Sequence, residues 1–461
     1  MKSWFDSTRW PDRLIVTAAL LCVSAIAYAA DPRGLGTTAV IEDYVSLPMP
    51  PAFHVESTQL EGPVFADANG RTLYFWPLHK QRNGYSGETP GNPGCYDEVL
   101  TVTAGLMSPY PPGIQLPDLD TRPSCTDLWP PVLAADDDVP VDRWSIVERK
   151  DGTRQWAYDE QSLYTSVRDS QPGDVLGGTT RDYGGDSPAN RVPLAPPPRA
   201  PPGFAVKTTV NGRLLTTDKY YSLYAYDRDT PETSMCNAEC TRTWQPVNAP
   251  ALAREQGEWS ILERSPGVRQ WVFRGQPLYT NVLDQHSWSQ QGSDVSGWEN
   301  VYTQRAPAHP GSFTVQQSLA GDVLADARGM TIYTYVCGDD SADQLACDHP
   351  DDTQVYRLAM CGGGDAAKCQ EYWPYLRAEK GAVSNSRAWR VVSIDPNTGH
   401  FAEAEHADAV SVWAYRDRPV YTFGGDEEPG DVNGAGTGEW RGQRNGLQAF
   451  WLRDDYMRGA L

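Results

Sequence analysis

Beyond residue 30 this 461-residue chain lacks any apolar run long enough to span a bilayer, and none of its segments keeps apolar residues at helical spacing for three turns. Positive charge is scarce: 39 Lys and Arg stand against 60 Asp and Glu, a net of −21. Such a surface repels phosphate backbones and anionic lipid, so neither nucleic acid nor a peripheral membrane surface is an expected partner. The seven histidines show no His-x-x-x-His or similar pairing, and no Asp-x-Asp-x-Asp-Gly loop occurs. Catalytic signatures are missing as well. There is no Gly-x-Ser-x-Gly nucleophile turn and no Cys-x-x-Cys redox pair, and Gly362-Gly363-Gly364 lacks the lysine of a phosphate cradle. Paired carboxylates are everywhere in so acidic a chain and carry no information, so no catalytic residue is nominated.

Residues 1–30 are a different object. Lys2, Arg9 and Arg13 precede an apolar run from Leu14 to Ala27, and Ala27-Tyr28-Ala29 supplies small residues for a signal peptidase. The run is shorter than the roughly 20 residues of a spanning helix, so a removed secretory signal is expected, with no integral membrane segment afterwards. Leu20-Leu21 before Cys22 lacks the small residues of a lipid-attachment site. An exported protein, periplasmic or extracellular, follows.

What the chain does have is a threefold aromatic pattern. Cys125, Cys240 and Cys369 each stand four residues before a tryptophan, namely Trp129, Trp244 and Trp373. Further on come Trp144, Trp259 and Trp389, then Trp156, Trp271 and Trp413, each of the last three standing eight residues before Tyr164, Tyr279 or Tyr421. Fixed aromatic spacing with variable lengths between is the mark of tandem copies of one structural module. The eight cysteines beyond Cys22 suit disulfides in an oxidising compartment. The register pairs Cys95 with Cys125, Cys236 with Cys240 and Cys361 with Cys369, leaving Cys337 for Cys347 inside an insertion of the third copy.

The expected fold is all-β: small antiparallel modules, each of two half-repeats, stapled by disulfides. Asp67-Ala68-Asn69-Gly70 and Asp326-Ala327-Arg328-Gly329 are hairpin turns between β-forming runs. The second copy has Asp218-Lys219-Tyr220-Tyr221 there, counted as one residue shorter and without glycine, so a different turn is expected. Alternation at Trp144-Ser145-Ile146 and Trp259-Ser260-Ile261 reads as half-buried sheet. The chain divides into a signal (1–30), a leader (31–52), modules at 53–186, 204–305 and 313–461, a proline-rich linker (187–203) and a shorter linker (306–312). That proline stretch separates one pair of half-repeats from the other four, which favours three modules over one closed propeller.

These residues resemble a family of bacterial exported proteins, the secreted repeat of unknown function, often described as predicted lipoproteins with a Tyr-x-aromatic-x-x-Asp motif. Tyr224, Tyr226 and Asp229 fit the motif fully, as do Tyr421, Phe423 and Asp426. Tyr164 with Asp169 and Tyr279 with Asp284 keep its ends, Tyr74 has His79 at the acidic position, and Tyr333 with Tyr335 is followed by Gly338. The resemblance implies no activity. Packing accounts for the motif if the tyrosine and its i+2 aromatic share one sheet face and the aspartate bonds backbone amides of the next turn. The expected role is a non-catalytic binding or envelope-associated structural protein with no predicted cofactor. Two alternatives stay open: a metal-handling or electron-transfer accessory built on Tyr, Asp and His79, and glycan binding through exposed aromatics. Trp76, Trp288 and Trp298 lie outside the repeating skeleton and are the tryptophans that packing explains least well.

Overall fold

The structure, a computed structural model, describes residues 42–75, 89–97, 124–177, 191–284, 286–318, 321–337, 365–403, 406–439 and 445–452. Within these the regular secondary structure is nearly all strand, arranged as small antiparallel sheets. The same plan is drawn three times. An opening hairpin pairs Phe53–Ser57 with Pro63–Asp67, Phe204–Thr209 with Gly212–Thr217, and Thr314–Ser318 with Gly321–Ala325. A second hairpin pairs Trp144–Glu148 with Arg154–Tyr158, Trp259–Ser265 with Val268–Phe273, and Trp389–Ile394 with Val410–Tyr415. Between them run the motif strands Tyr74–Phe75, Tyr224–Tyr226 and Tyr333–Cys337, each joined by a closing strand: Val192–Pro193, Trp298–Asn300 or Asn445–Ala449. Backbone bonds coincide residue for residue. Leu73, Leu223 and Ile332 donate to Phe65, Leu215 and Leu324, which in turn donate to Leu194, Val301 and Phe450.

Side-chain alternation along a strand explains the recurrent Leu-Tyr pair. Leu73, Leu223 and Ile332 enter one apolar cluster of their unit, with Leu163, Leu278 and Val420. The adjoining tyrosines enter a second cluster on the other face. The Cys-x-x-x-Trp spacing is one turn of helix: the amide of Trp129 donates to the Cys125 carbonyl and that of Trp373 to Cys369, both at 2.7 Å. Ser124 and Asp127 cap the helix Cys125–Leu128 reciprocally, and Asp365 caps Ala366–Tyr372. The middle copy keeps a 3-10 turn, Cys240–Arg242. Disulfides join Cys95 to Cys125 and Cys236 to Cys240, and Cys369 is disulfide-bonded too. Cys347 and Cys361 lie outside the described residues.

One turn departs from expectation. Tyr220 donates to the Thr217 carbonyl as Gly70 does to Asp67 and Gly329 to Asp326, so the middle turn matches its sisters in length and bonding. Counting residues from the aromatic run misjudged it because a tyrosine occupies the glycine position.

The three units touch. Thr58, Gln59, Leu60 and Glu61, at the tip of the first opening hairpin, are buried. Leu60 joins the core of the third unit, the Thr58 carbonyl accepts from Gln304 of the second (2.6 Å), and Glu61 pairs with Arg416 of the third (2.9 Å). Glu42 forms a bidentate pair with Arg213 at 2.8 and 3.0 Å. Its neighbours run beside the proline-rich stretch, where the Pro197 carbonyl accepts from Val45 (2.9 Å). Proline there offers carbonyls in place of the amides it lacks.

Candidate functional site

The motif tyrosines face each other in pairs across the sheet: Tyr224 opposite Tyr279, Tyr333 opposite Tyr421, and Tyr74 bridged to Tyr164. Because each aspartate follows its own tyrosine by five residues around a turn, it reaches the phenol of the opposite half-repeat. The Tyr74 hydroxyl donates to Asp169 Oδ2 (2.6 Å), Tyr224 to Asp284 Oδ2 (2.9 Å), and Tyr333 to Asp426 Oδ2 (2.7 Å). In the middle unit the exchange is reciprocal, since Tyr279 donates to Asp229. His79 and the residues after Cys337, which hold the matching positions in the outer units, lie outside the described residues. The backbone bonds expected of the aspartates exist beside these clasps: Oδ1 of Asp169, Asp229 and Asp426 accepts from Leu176 (2.8 Å), Met235 (2.7 Å) and Asn433 (3.0 Å).

All six motif tyrosines are fully buried. Burial and the facing carboxylate raise the Tyr74, Tyr224 and Tyr333 phenols above their ordinary value. Burial also pushes the Asp169 carboxyl up to about 7, against the lowering effect of its bonds from Tyr74 and the Leu176 amide, and raises Asp426. Tyr335 sits in the third core, with Phe423 packed at its margin against Trp373. Tyr226 stacks on Trp298, which stacks on Trp244 at 3.7 Å. Packing therefore accounts for Trp298. Trp76 falls outside the described residues, and Trp288 is exposed.

Two groups were missed in the sequence. Gly177, Gly292 and Gly434 each stand eight residues past the clasp aspartate. A side chain there would come within 2.4 to 2.6 Å of Ser166, Tyr224 or Trp373. The amides of Gly292 and Gly434 donate to the tyrosine hydroxyl at 3.3 and 3.2 Å. The fixed Asp-to-Gly spacing was the available signal. Arg191 is the other: its guanidinium is buried over the rings of Tyr164 (4.2 Å) and Trp129 (5.0 Å).

Among the described residues no group of three or more His, Cys, Asp or Glu side chains forms a metal cage. A cavity of about 500 Å³ lies between the second and third units and is lined by Leu60, Trp298, Tyr302, Arg305, His309 and Trp389, among others. It mixes apolar walls with polar groups and is of a size that holds small ligands.

A family described as a secreted repeat of unknown function matches residues 145–185, 205–248 and 404–442. One match falls in each unit, and each covers about one half-repeat. No curated protein and no solved structure matches the chain.

Proposed function

We propose that this chain, which carries three copies of the secreted repeat of unknown function, is an exported, non-catalytic, envelope-associated protein whose motif is architectural and whose recognition surface lies elsewhere. One observation carries the reading: the phenols of Tyr74, Tyr224 and Tyr333 are enclosed in the interior and committed to Asp169, Asp284 and Asp426. A side chain sealed in this way fastens two half-repeats and is closed to a substrate. Export is supported by the family description, by the disulfides, and by the signal-like start. Among the described residues no helix is long and apolar enough to cross a membrane.

Cell fractionation combined with thiol alkylation tests this. Recovery outside the cytoplasm with Cys95, Cys125, Cys236 and Cys240 unreactive is expected. Cytoplasmic protein with alkylatable cysteines overturns it. Metal analysis after native purification decides against the metal-handling alternative unless copper, iron or calcium is present in stoichiometric amount.

A further inference from the structure

The middle unit differs from its sisters at two backbone positions that lie side by side. Tyr220 occupies the turn position of Gly70 and Gly329, and takes the same left-handed conformation, φ 65° against 80° and 87°. Four residues past the clasp aspartate, Gly173 and Gly430 are left-handed at φ 80° and 86°, and the middle unit places Trp288 there at φ 64°. The sister glycine pairs face prolines: a side chain on Gly70 would meet Pro172 at 2.7 Å, and one on Gly329 would meet Pro429 at 2.8 Å. In the middle unit the proline position is Ser287, whose hydroxyl donates to the Lys219 carbonyl (3.3 Å), so no pyrrolidine ring crowds the turn. Left-handed backbone is disfavoured for any residue with a Cβ and is a true outlier for bulky ones. A fold that manages with two glycines twice has no architectural need for two aromatics.

Those two aromatics form a surface feature. Trp288 is 37% and Tyr220 46% exposed, their ring centroids are 5.3 Å apart, and their planes open at 45°. The Trp288 amide donates to the Tyr220 carbonyl (2.8 Å), so the backbones hold the rings in register. The Lys207 ammonium lies over the Trp288 ring, 5.0 Å from its centroid, and holds the indole from one face.

We infer that Tyr220 and Trp288 form a carbohydrate-binding platform on the middle unit, where the apolar face of a pyranose ring stacks on the indole and the phenol. Two splayed, rigid aromatic faces set among hydroxyl, ammonium and carbonyl groups suit a ligand with a CH face and a polar rim. Nucleobases, the other common stacking partner, arrive on a polyanion that a chain of net charge −21 repels. The inference names the ligand class for the recognition surface proposed above, and it survives if that surface also contacts other molecules.

The test sediments the full chain with purified peptidoglycan sacculi and with insoluble chitin, and titrates it with soluble chito-oligosaccharide and a β-glucan. Binding to at least one is expected, with Trp288→Gly weakening it about tenfold or more. The double variant Tyr220→Gly/Trp288→Gly, which restores the sister residues, is expected to lose binding while its melting temperature stays level or rises. Absence of binding by the unaltered chain to all four probes overturns the inference. So does binding that the double variant retains, or a fall in the variant's melting temperature, which would mark the rings as structural. Export and the oxidised cysteines are read independently, so failure here leaves the proposed function standing.

Discussion

A buried phenol that donates to a buried carboxylate is a different object from a tyrosine on a strand. The Tyr224 hydroxyl donates a hydrogen bond to Asp284 and accepts one from the Gly292 amide (3.3 Å), so removing it strands groups on both sides. Tyr224→Phe should lower stability by about 1.5–3 kcal/mol, the range for hydrogen bonds to charged groups. A double-mutant cycle with Asp284→Asn in urea denaturation should give a coupling energy clearly above zero, and additive losses would refute the clasp. The first unit adds a pH dependence. Asp169 ordinarily titrates near 3.9, and burial raises it in the folded chain to about 7. The fold thus favours the protonated carboxyl, so its contribution is complete below about pH 4 and lost as the pH climbs through about 7. The urea midpoint of the unaltered chain should therefore fall from pH 5 to pH 8 more steeply than that of Asp169→Asn, which has no proton to lose at this position. Parallel slopes would show that Asp169 is ionised throughout.

At the scale of the element, what could be read from the sequence was whatever a strand or turn encodes locally. Trp144-Ser145-Ile146 alternates as half-buried sheet and forms it, and the cysteine-to-tryptophan spacing marked the repeat without revealing the helical turn that sets it at Trp129 and Trp373. The clasps were hidden. Tyr74 and Asp169 are 95 residues apart, and Tyr333 and Asp426 are 93 apart. The motif's own spacing points to a local turn, while the phenol bond crosses to the other half-repeat. Tyr220 was misread for the opposite reason, because backbone conformation outranked residue type. The two-residue turns that follow the second hairpins, leading into Gln161–Ser162, Gln276–Pro277 and Arg418–Tyr421, are equally demanding, with both positions left-handed at Asp159-Glu160, Arg274-Gly275 and Arg416-Asp417. Only one of these six residues is glycine. Glu160 is exposed, so Glu160→Gly should stabilise by about 0.5–1 kcal/mol through relief of that conformation. Thermal melting measures it, and a loss would mean the Glu160 side chain holds a contact of its own. The disulfides divide by loop length, 30 residues for Cys95–Cys125 and 4 for Cys236–Cys240. On loop entropy, replacing both cysteines by serine should cost about 3.5 kcal/mol in the first pair and about 2 kcal/mol in the second.

Across the whole molecule the units are joined by charge buried at their junction. Glu61 and Arg416 are nearly inaccessible, and the guanidinium also donates to the Val175 carbonyl (2.9 Å), so it is held by the first unit from two sides. Arg387 pairs with Asp174 and also donates to the Pro172 carbonyl (3.0 Å), again linking the third unit to the first. Two charges taken out of water give little net stability as a pair, but removing one partner leaves the other unpaired at a cost of about 3–5 kcal/mol. The tip at Thr58 to Gly62 is short and its own hairpin is far from Arg416 in sequence, so that cost falls on the docking of one unit against another. Glu61→Ala should therefore split a single unfolding transition into two, and limited proteolysis should then cut between the first and third units. The compensating pair Glu61→Leu/Arg416→Leu removes both charges and keeps the apolar bulk beside Leu60, so it should restore one transition. High salt should not imitate Glu61→Ala, because ions that screen exposed pairs do not enter this junction. Two transitions in the unaltered chain would mean that the buried pairs do not couple the units and that each folds alone.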